Sequence, residues 1–101
     1  MPAIDVAPST VGALLDELAA VLGGPDVPPD RGVARDVIAA LLDRPRFWPT
    51  AHRDAAVPPD VAAAARAAAA GMRAGMPMAY AVGRAAFRHL TLRVDRRVLI
   101  P

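Results

Sequence analysis

Cysteine is absent from this 101-residue chain. Disulfides, thiolate nucleophiles and thiolate metal sites are therefore excluded. Lysine is absent as well; all twelve basic residues are arginine. Glutamate occurs once, at Glu17, and serine once, at Ser9. No carboxylate pair sits in an apolar setting that would tune it for acid–base work. Ser9 has no base nearby in sequence to activate it, and no glycine-rich phosphate loop or His/Cys cluster is present. No uncharged apolar run approaches the roughly 18 residues of a membrane span. The N-terminus, MPAIDVAPS, lacks the basic and apolar regions of a secretory signal. A cytoplasmic location is the expectation.

Apolar residues make up 54% of the chain, but alanine supplies much of that, so the core is expected to be thin. A chain of this length forms one domain and buries about two thirds of its surface. The net charge of +2 is too small to argue for nucleic acid.

The fold class expected is mainly α: a small helical bundle of three long helices plus short turns, ending in a C-terminal β-hairpin. Ser9 or Thr10 can cap a first helix. Val11, Leu14, Leu15, Leu18, Val21 and Leu22 then form one helical face. Gly23 and Gly24 end it, and Pro25 to Pro29 make a stiff connector. Asp30 caps a second helix with a stripe of Val33, Val37, Ile38, Leu41 and Leu42, closing near Arg44 because Pro45 follows. The run Pro45-Arg46-Phe47-Trp48-Pro49 leaves room for one turn. Phe47 and Trp48 are large enough that at least one is expected to plug the bundle; the alternative is an exposed aromatic anchor for a partner. Thr50 to Val57 read as loop, with His52 solvated or capping. Pro58-Pro59-Asp60 opens a third long helix running to Ala74, facing inward through Val61, Ala65, Ala68 and Met72. Met72, Met76 and Met78 are expected to fill gaps in an alanine-lined core.

From Gly75 onward the pattern changes. Gly75 and Pro77 stop the helix, Met78 to Val82 suit a short turn, and Gly83 closes it. Tyr80 reads as a core tyrosine. Leu90, Leu92 and Val94 alternate with Thr91, Arg93 and Asp95, the period-2 signature of a strand. Arg84 to Phe87 would be its hairpin partner, and Val98-Leu99-Ile100 a third apolar run. The organisation expected is thus a helical bundle over residues 1–83 and a hairpin over 84–101. The arginines at 84, 88, 93, 96 and 97 face only Asp95 in sequence. They read either as the solvent face of a hairpin, guarding an edge, or as a basic ledge for an acidic partner. A nucleic-acid role lacks an aromatic platform beside them.

The spacing Gly75-x-Pro77-x-x-Tyr80-x-x-Gly83-x-x-x-Phe87-x-x-Leu90-x-Leu92-x-Val94, then Val98-Leu99-Ile100-Pro101, resembles the HemK/PrmC-type peptide chain release factor glutamine N5-methyltransferases. Arg73 fits the same pattern. Over the first 74 residues the likeness rests on helix layout and on Ala34-Arg35-Asp36 with Leu41-Leu42. His89 stands where relatives often carry glycine, and Arg46-Phe47-Trp48-Pro49 marks a divergent branch. In that family the stretch links an N-terminal helical domain to the catalytic domain. The resemblance implies a domain that docks a release factor, in an enzyme that methylates the glutamine of a Gly-Gly-Gln loop. The family's S-adenosylmethionine site and Asn-Pro-Pro-Tyr motif follow this stretch and match no residue of this chain. It therefore assigns no catalytic, cofactor-binding or metal residue here. S-adenosylmethionine is expected only in a catalytic half. The candidate partner-binding residues are Arg73, Arg84, Arg88, His89 and Arg93; the motif's structural residues are Gly75, Pro77, Tyr80, Gly83, Phe87 and Pro101. The expected partners are a release factor and the catalytic half, with self-association through Val98-Leu99-Ile100 a further possibility. The competing readings are a free-standing protein-interaction module and, less well matched, a nucleic-acid-binding helical domain.

Overall fold

The computed structural model describes residues 9–98, with side chains to Leu90. The elements in order are α1 (Val11–Gly23), α2 (Arg31–Leu42), α3 (Trp48–Ala51), α4 (Pro59–Arg73) and α5 (Met78–Val98). The fold is mainly α, as the periodicity predicts. α1 starts at Thr10, whose hydroxyl oxygen accepts from the Ala13 N–H at 3.1 Å. α2 starts at Asp30, whose carboxylate accepts from the Val33 N–H at 3.1 Å. Each cap satisfies a first-turn donor that the helix itself leaves unpaired. The remaining free donors of α1 are met by the 53–57 loop: Val11 N–H donates to the Ala55 carbonyl and Gly12 N–H to the Arg53 carbonyl, both at 2.9 Å.

α4 is the central element and packs against α1, α2 and α5. Val61, Ala62, Ala64, Ala65, Ala68 and Ala69 are all buried on it. Small side chains allow three neighbours to approach one helix closely, and the larger side chains come from those neighbours. Val11, Leu14, Leu15 and Leu18 of α1 and Val37 and Ile38 of α2 are buried, essentially as their spacing predicts. Met72, Met76 and Met78 are half-buried against this core. α4 ends in a Schellman motif. Gly75 has φ +113°, its N–H donates to the Met72 carbonyl at 3.0 Å, and the Met76 N–H donates to the Gly71 carbonyl at 2.9 Å.

The C-terminal part departs from expectation in three ways. First, Gly83 closes no turn: α5 runs straight through it, so the boundary expected between residues 83 and 84 lies inside a helix. Second, Arg84 to Phe87 form helix and not a strand. The inward residues Met78, Ala81, Val82, Ala85 and Ala86 recur at helical spacing on the core, and this burial holds the segment helical. A hairpin alone is marginal in water and needs a third strand or a covering layer; no strand occurs among the described residues to supply one. The change of sequence period is marked instead by a break in α5 at Leu90 (φ −121°, ψ 16°). Third, Tyr80, expected in the core, is 57% exposed; Phe87 on the same helix is 72% exposed. Leu99, Ile100 and Pro101 lie outside the described residues.

Candidate partner-binding face on α5

The turn at Gly75 sets the direction in which α5 leaves α4. Pro77 precedes the helix, and its carbonyl accepts the Ala81 N–H at 2.9 Å. With Ala81 and Ala85 turned inward, helical geometry dictates what faces out. Tyr80, Gly83, Arg84, Phe87 and Arg88 stand at i, i+3, i+4, i+7 and i+8, and all are exposed. Two aromatic side chains and two arginines thus share one outward strip.

Along one edge of this strip lies a cleft of about 120 Å³ between α4 and α5. Ala67 and Gly71 of α4, Met76 of the turn, and Ala81 and Ala85 of α5 give it an apolar lining; Arg84, Arg88 and His89 supply its polar groups. The cleft exists because both helices present alanine or glycine where they meet. A methyl group at Gly71 would lie 2.9 Å from the Met76 sulfur and 3.6 Å from the Ala81 Cβ.

The arginines divide sharply. Arg31 and Arg53 both meet Asp16, Arg35 and Arg46 meet Asp36, and Arg66 meets Glu17. Arg44 lies over the Trp48 ring, 5.1 Å from its centroid. Arg73 donates from Nη1 to the Val21 carbonyl at 3.0 Å, satisfying a carbonyl near the end of α1. Arg84 and Arg88 have no hydrogen-bond, ion-pair or ring partner among the described residues. The same is true of His89. Of the five candidate partner-binding residues, the fold therefore brings Arg84, Arg88 and His89 together and leaves them free. It uses Arg73 to join α4 to α1, and the side chain of Arg93 is outside what the structure describes.

Two features were not anticipated. One is the exposure of Tyr80 and Phe87; their spacing of seven was legible, but not which way α5 would face. The other is a surface stack in which the Trp48 and His52 rings lie 4.3 Å apart at 13°, with His52 Nδ1 at 2.9 Å from the Trp48 carbonyl oxygen and Arg44 against the same indole. The spacing of 44, 48 and 52 carried that signal. Trp48 is half-buried and Phe47 is 70% exposed, so the plug expected from this pair is partial and belongs to Trp48.

Asp16, Glu17 and Asp36 hold their arginines at the surface, and no charged side chain is buried among the described residues. Arg31 and Arg53 hold the Asp16 carboxyl below its ordinary range, and Arg66 does the same for Glu17, in each case chiefly through a side-chain hydrogen bond. Among the described residues no group of three His, Asp or Glu side chains is placed to hold a metal ion, and no helix is long and apolar enough to cross a membrane. The chain matches no family model, no curated protein and no solved structure.

Proposed function

We propose that this chain is the N-terminal, release-factor-docking domain of a protein-(glutamine-N5) methyltransferase that uses S-adenosylmethionine in its catalytic half. The observation that carries the reading is where the motif residues fall. Tyr80, Gly83 and Phe87 are exposed on one strip of α5, so the bundle's own core does not demand their spacing. Residues held in a pattern without a packing reason are explained by contact outside the bundle. That contact is with the catalytic half, the protein substrate, or both in succession. The unpaired Arg84 and Arg88 on the same strip suit an acidic protein surface.

The test is a comparison of the isolated chain with the same chain joined to its catalytic half. A docking domain binds a release factor weakly alone and more tightly when joined, and the isolated chain transfers no methyl group. Methyl transfer by the pure 101-residue chain, or failure of both forms to bind a release factor, would sink the proposal.

A second reading is a free-standing protein-interaction module. It is favoured by α5 itself, which is helical over residues 84–87 where the resemblance calls for a hairpin. Such a module reaches full affinity for its partner unaided.

A further inference from the structure

We infer that the cleft between α4 and α5 receives a carboxylate side chain from an acidic protein segment, whose neighbouring apolar side chain lies on Tyr80 and Phe87. This rests on the docking role proposed above and names the chemistry of the partner.

Three observations carry it. The first is selective vacancy. Elsewhere the described arginines are taken up by carboxylates, a carbonyl or an indole ring, while Arg84 and Arg88 are not. They stand one turn apart at the same cleft. Two guanidinium groups spaced i and i+4 share one helix face and can reach one anion, each offering planar paired donors. The second is the shape and lining of the cleft. About 120 Å³ bounded largely by alanine, glycine and methionine admits the methylene stem of a glutamate while its head meets the arginines. His89 offers a further ring nitrogen at the same rim. The third is the flanking aromatic pair, exposed and seven residues apart, which gives an adjacent apolar side chain a surface to cover.

An acidic protein segment fits better than nucleic acid. No Phe, Tyr or Trp ring lines the cleft itself, and the one ring at its rim is the His89 imidazole, so the cleft offers no stacked platform for successive bases. The chain's net charge of +2 gives little long-range attraction for a phosphate backbone.

The experiment is an amide NMR titration of the whole chain with the capped peptide Ac-Ala-Leu-Glu-Glu-Leu-Ala-NH2 and with its Gln-for-Glu counterpart. The expected result is that the glutamate peptide shifts Gly71, Ala81 and Ala85 and binds about tenfold or more tightly than the glutamine peptide, the gain of charge-assisted bonds. The double variant R84Q/R88Q loses that preference while keeping its melting temperature, because neither side chain has a partner among the described residues. Ala67→Leu, which fills the cleft without changing charge, also loses it. Equal binding of both peptides, shifts centred on Trp48, undiminished binding by Ala67→Leu, or tighter binding of a single-stranded oligonucleotide with steep salt dependence would each overturn the inference. Release-factor binding separates the two proposals. If a release factor binds R84Q/R88Q as well as the parent chain, the cleft assignment fails and the docking role stands. If the glutamate peptide binds as expected and a release factor does not, the docking role fails and the cleft assignment stands.

Discussion

Arg66 holds Glu17 with both ends of its guanidinium, Nε to Oε2 at 2.7 Å and Nη2 to Oε1 at 3.1 Å. This fork ties α4 to α1 across the outside of the core. It also gives the chain's single glutamate a part in the pH dependence of stability. Glu17 is held below its ordinary value of 4.5, first by the Arg66 hydrogen bond and then by its charge. A depressed carboxyl contributes stability that is complete above its unfolded pKa and is lost as pH falls through the folded one. Both side chains are nearly half exposed, so solvent screening limits the pair to about 0.5 kcal/mol. Arg66→Gln should therefore lower the melting temperature by about 2–4 °C at pH 7, and the difference from the parent should shrink below pH 4.5. Melting curves of both proteins from pH 7 to pH 3 decide it; a constant difference would show that the fork is not the cause.

Three glycines separate three physical effects. At Gly75 a methyl group meets nothing within 4 Å, yet φ is +113°. Gly75→Ala should cost about 1 kcal/mol through backbone strain alone. At Gly23 a methyl group would lie 2.6 Å from the Pro28 carbonyl oxygen, backbone that cannot swing aside. Gly23→Ala should cost about 1–3 kcal/mol by forcing the α1–α2 connector outward. Gly83 lies inside α5 in open space. Gly83→Ala should stabilise by about 0.5–1 kcal/mol, the helix-propensity difference. Urea titrations give all three values. Destabilisation by Gly83→Ala would mean that this residue turns the chain and does not extend a helix.

Phe47 and Trp48 are adjacent and chemically alike but differ in surroundings. Phe47→Ala should change stability by less than about 0.5 kcal/mol, as for other exposed positions. Trp48→Ala should cost about 2–3 kcal/mol, because Trp48 is packed against the core, stacked on His52 and in contact with Arg44. Equal effects in a pair of denaturation curves would contradict the half-buried placement.

Ala65 is fully buried near the middle of α4, the helix that packs against α1, α2 and α5. Leucine there adds volume where no side chain can retreat, so Ala65→Leu should destabilise by at least 1–3 kcal/mol, the usual cost of overpacking. Ala67→Leu, on the exposed side of the same helix, should leave the melting temperature nearly unchanged. If both variants melt together, α4 is not the close-packed centre of the bundle.

Most of the bundle was readable before any coordinates. Thr10 and Asp30 announced their caps, and Gly23, Gly24 and Gly75 announced helix ends, because those signals act through a few neighbouring residues. The stripes on α1 and α2 were readable because each has large aliphatic residues at helical spacing. The candidate site was readable only in part. Arg84 and Arg88 stood out as charges without nearby opposition, and among the described residues they have no partner. Arg73 looked the same in sequence, but its partner is the Val21 carbonyl, which is brought to it by the packing of α1 on α4.

The line between the two sources of information runs through α5. Sequence by itself determined α1, α2 and α4 with their starting signals, the surplus of arginine near the C-terminus and the change of period at Leu90. Only the tertiary structure decided which state the 84–90 segment takes and which way it faces. Alanine is compatible with burial or exposure and carries little pattern of its own, so Ala81 and Ala85 acquire a direction only when α4 lies beside them. Once they turn inward, helical geometry places Tyr80, Arg84, Phe87 and Arg88 outward. A local pattern records periods and caps, whereas the choice of buried face on an alanine-rich helix is made by its neighbours.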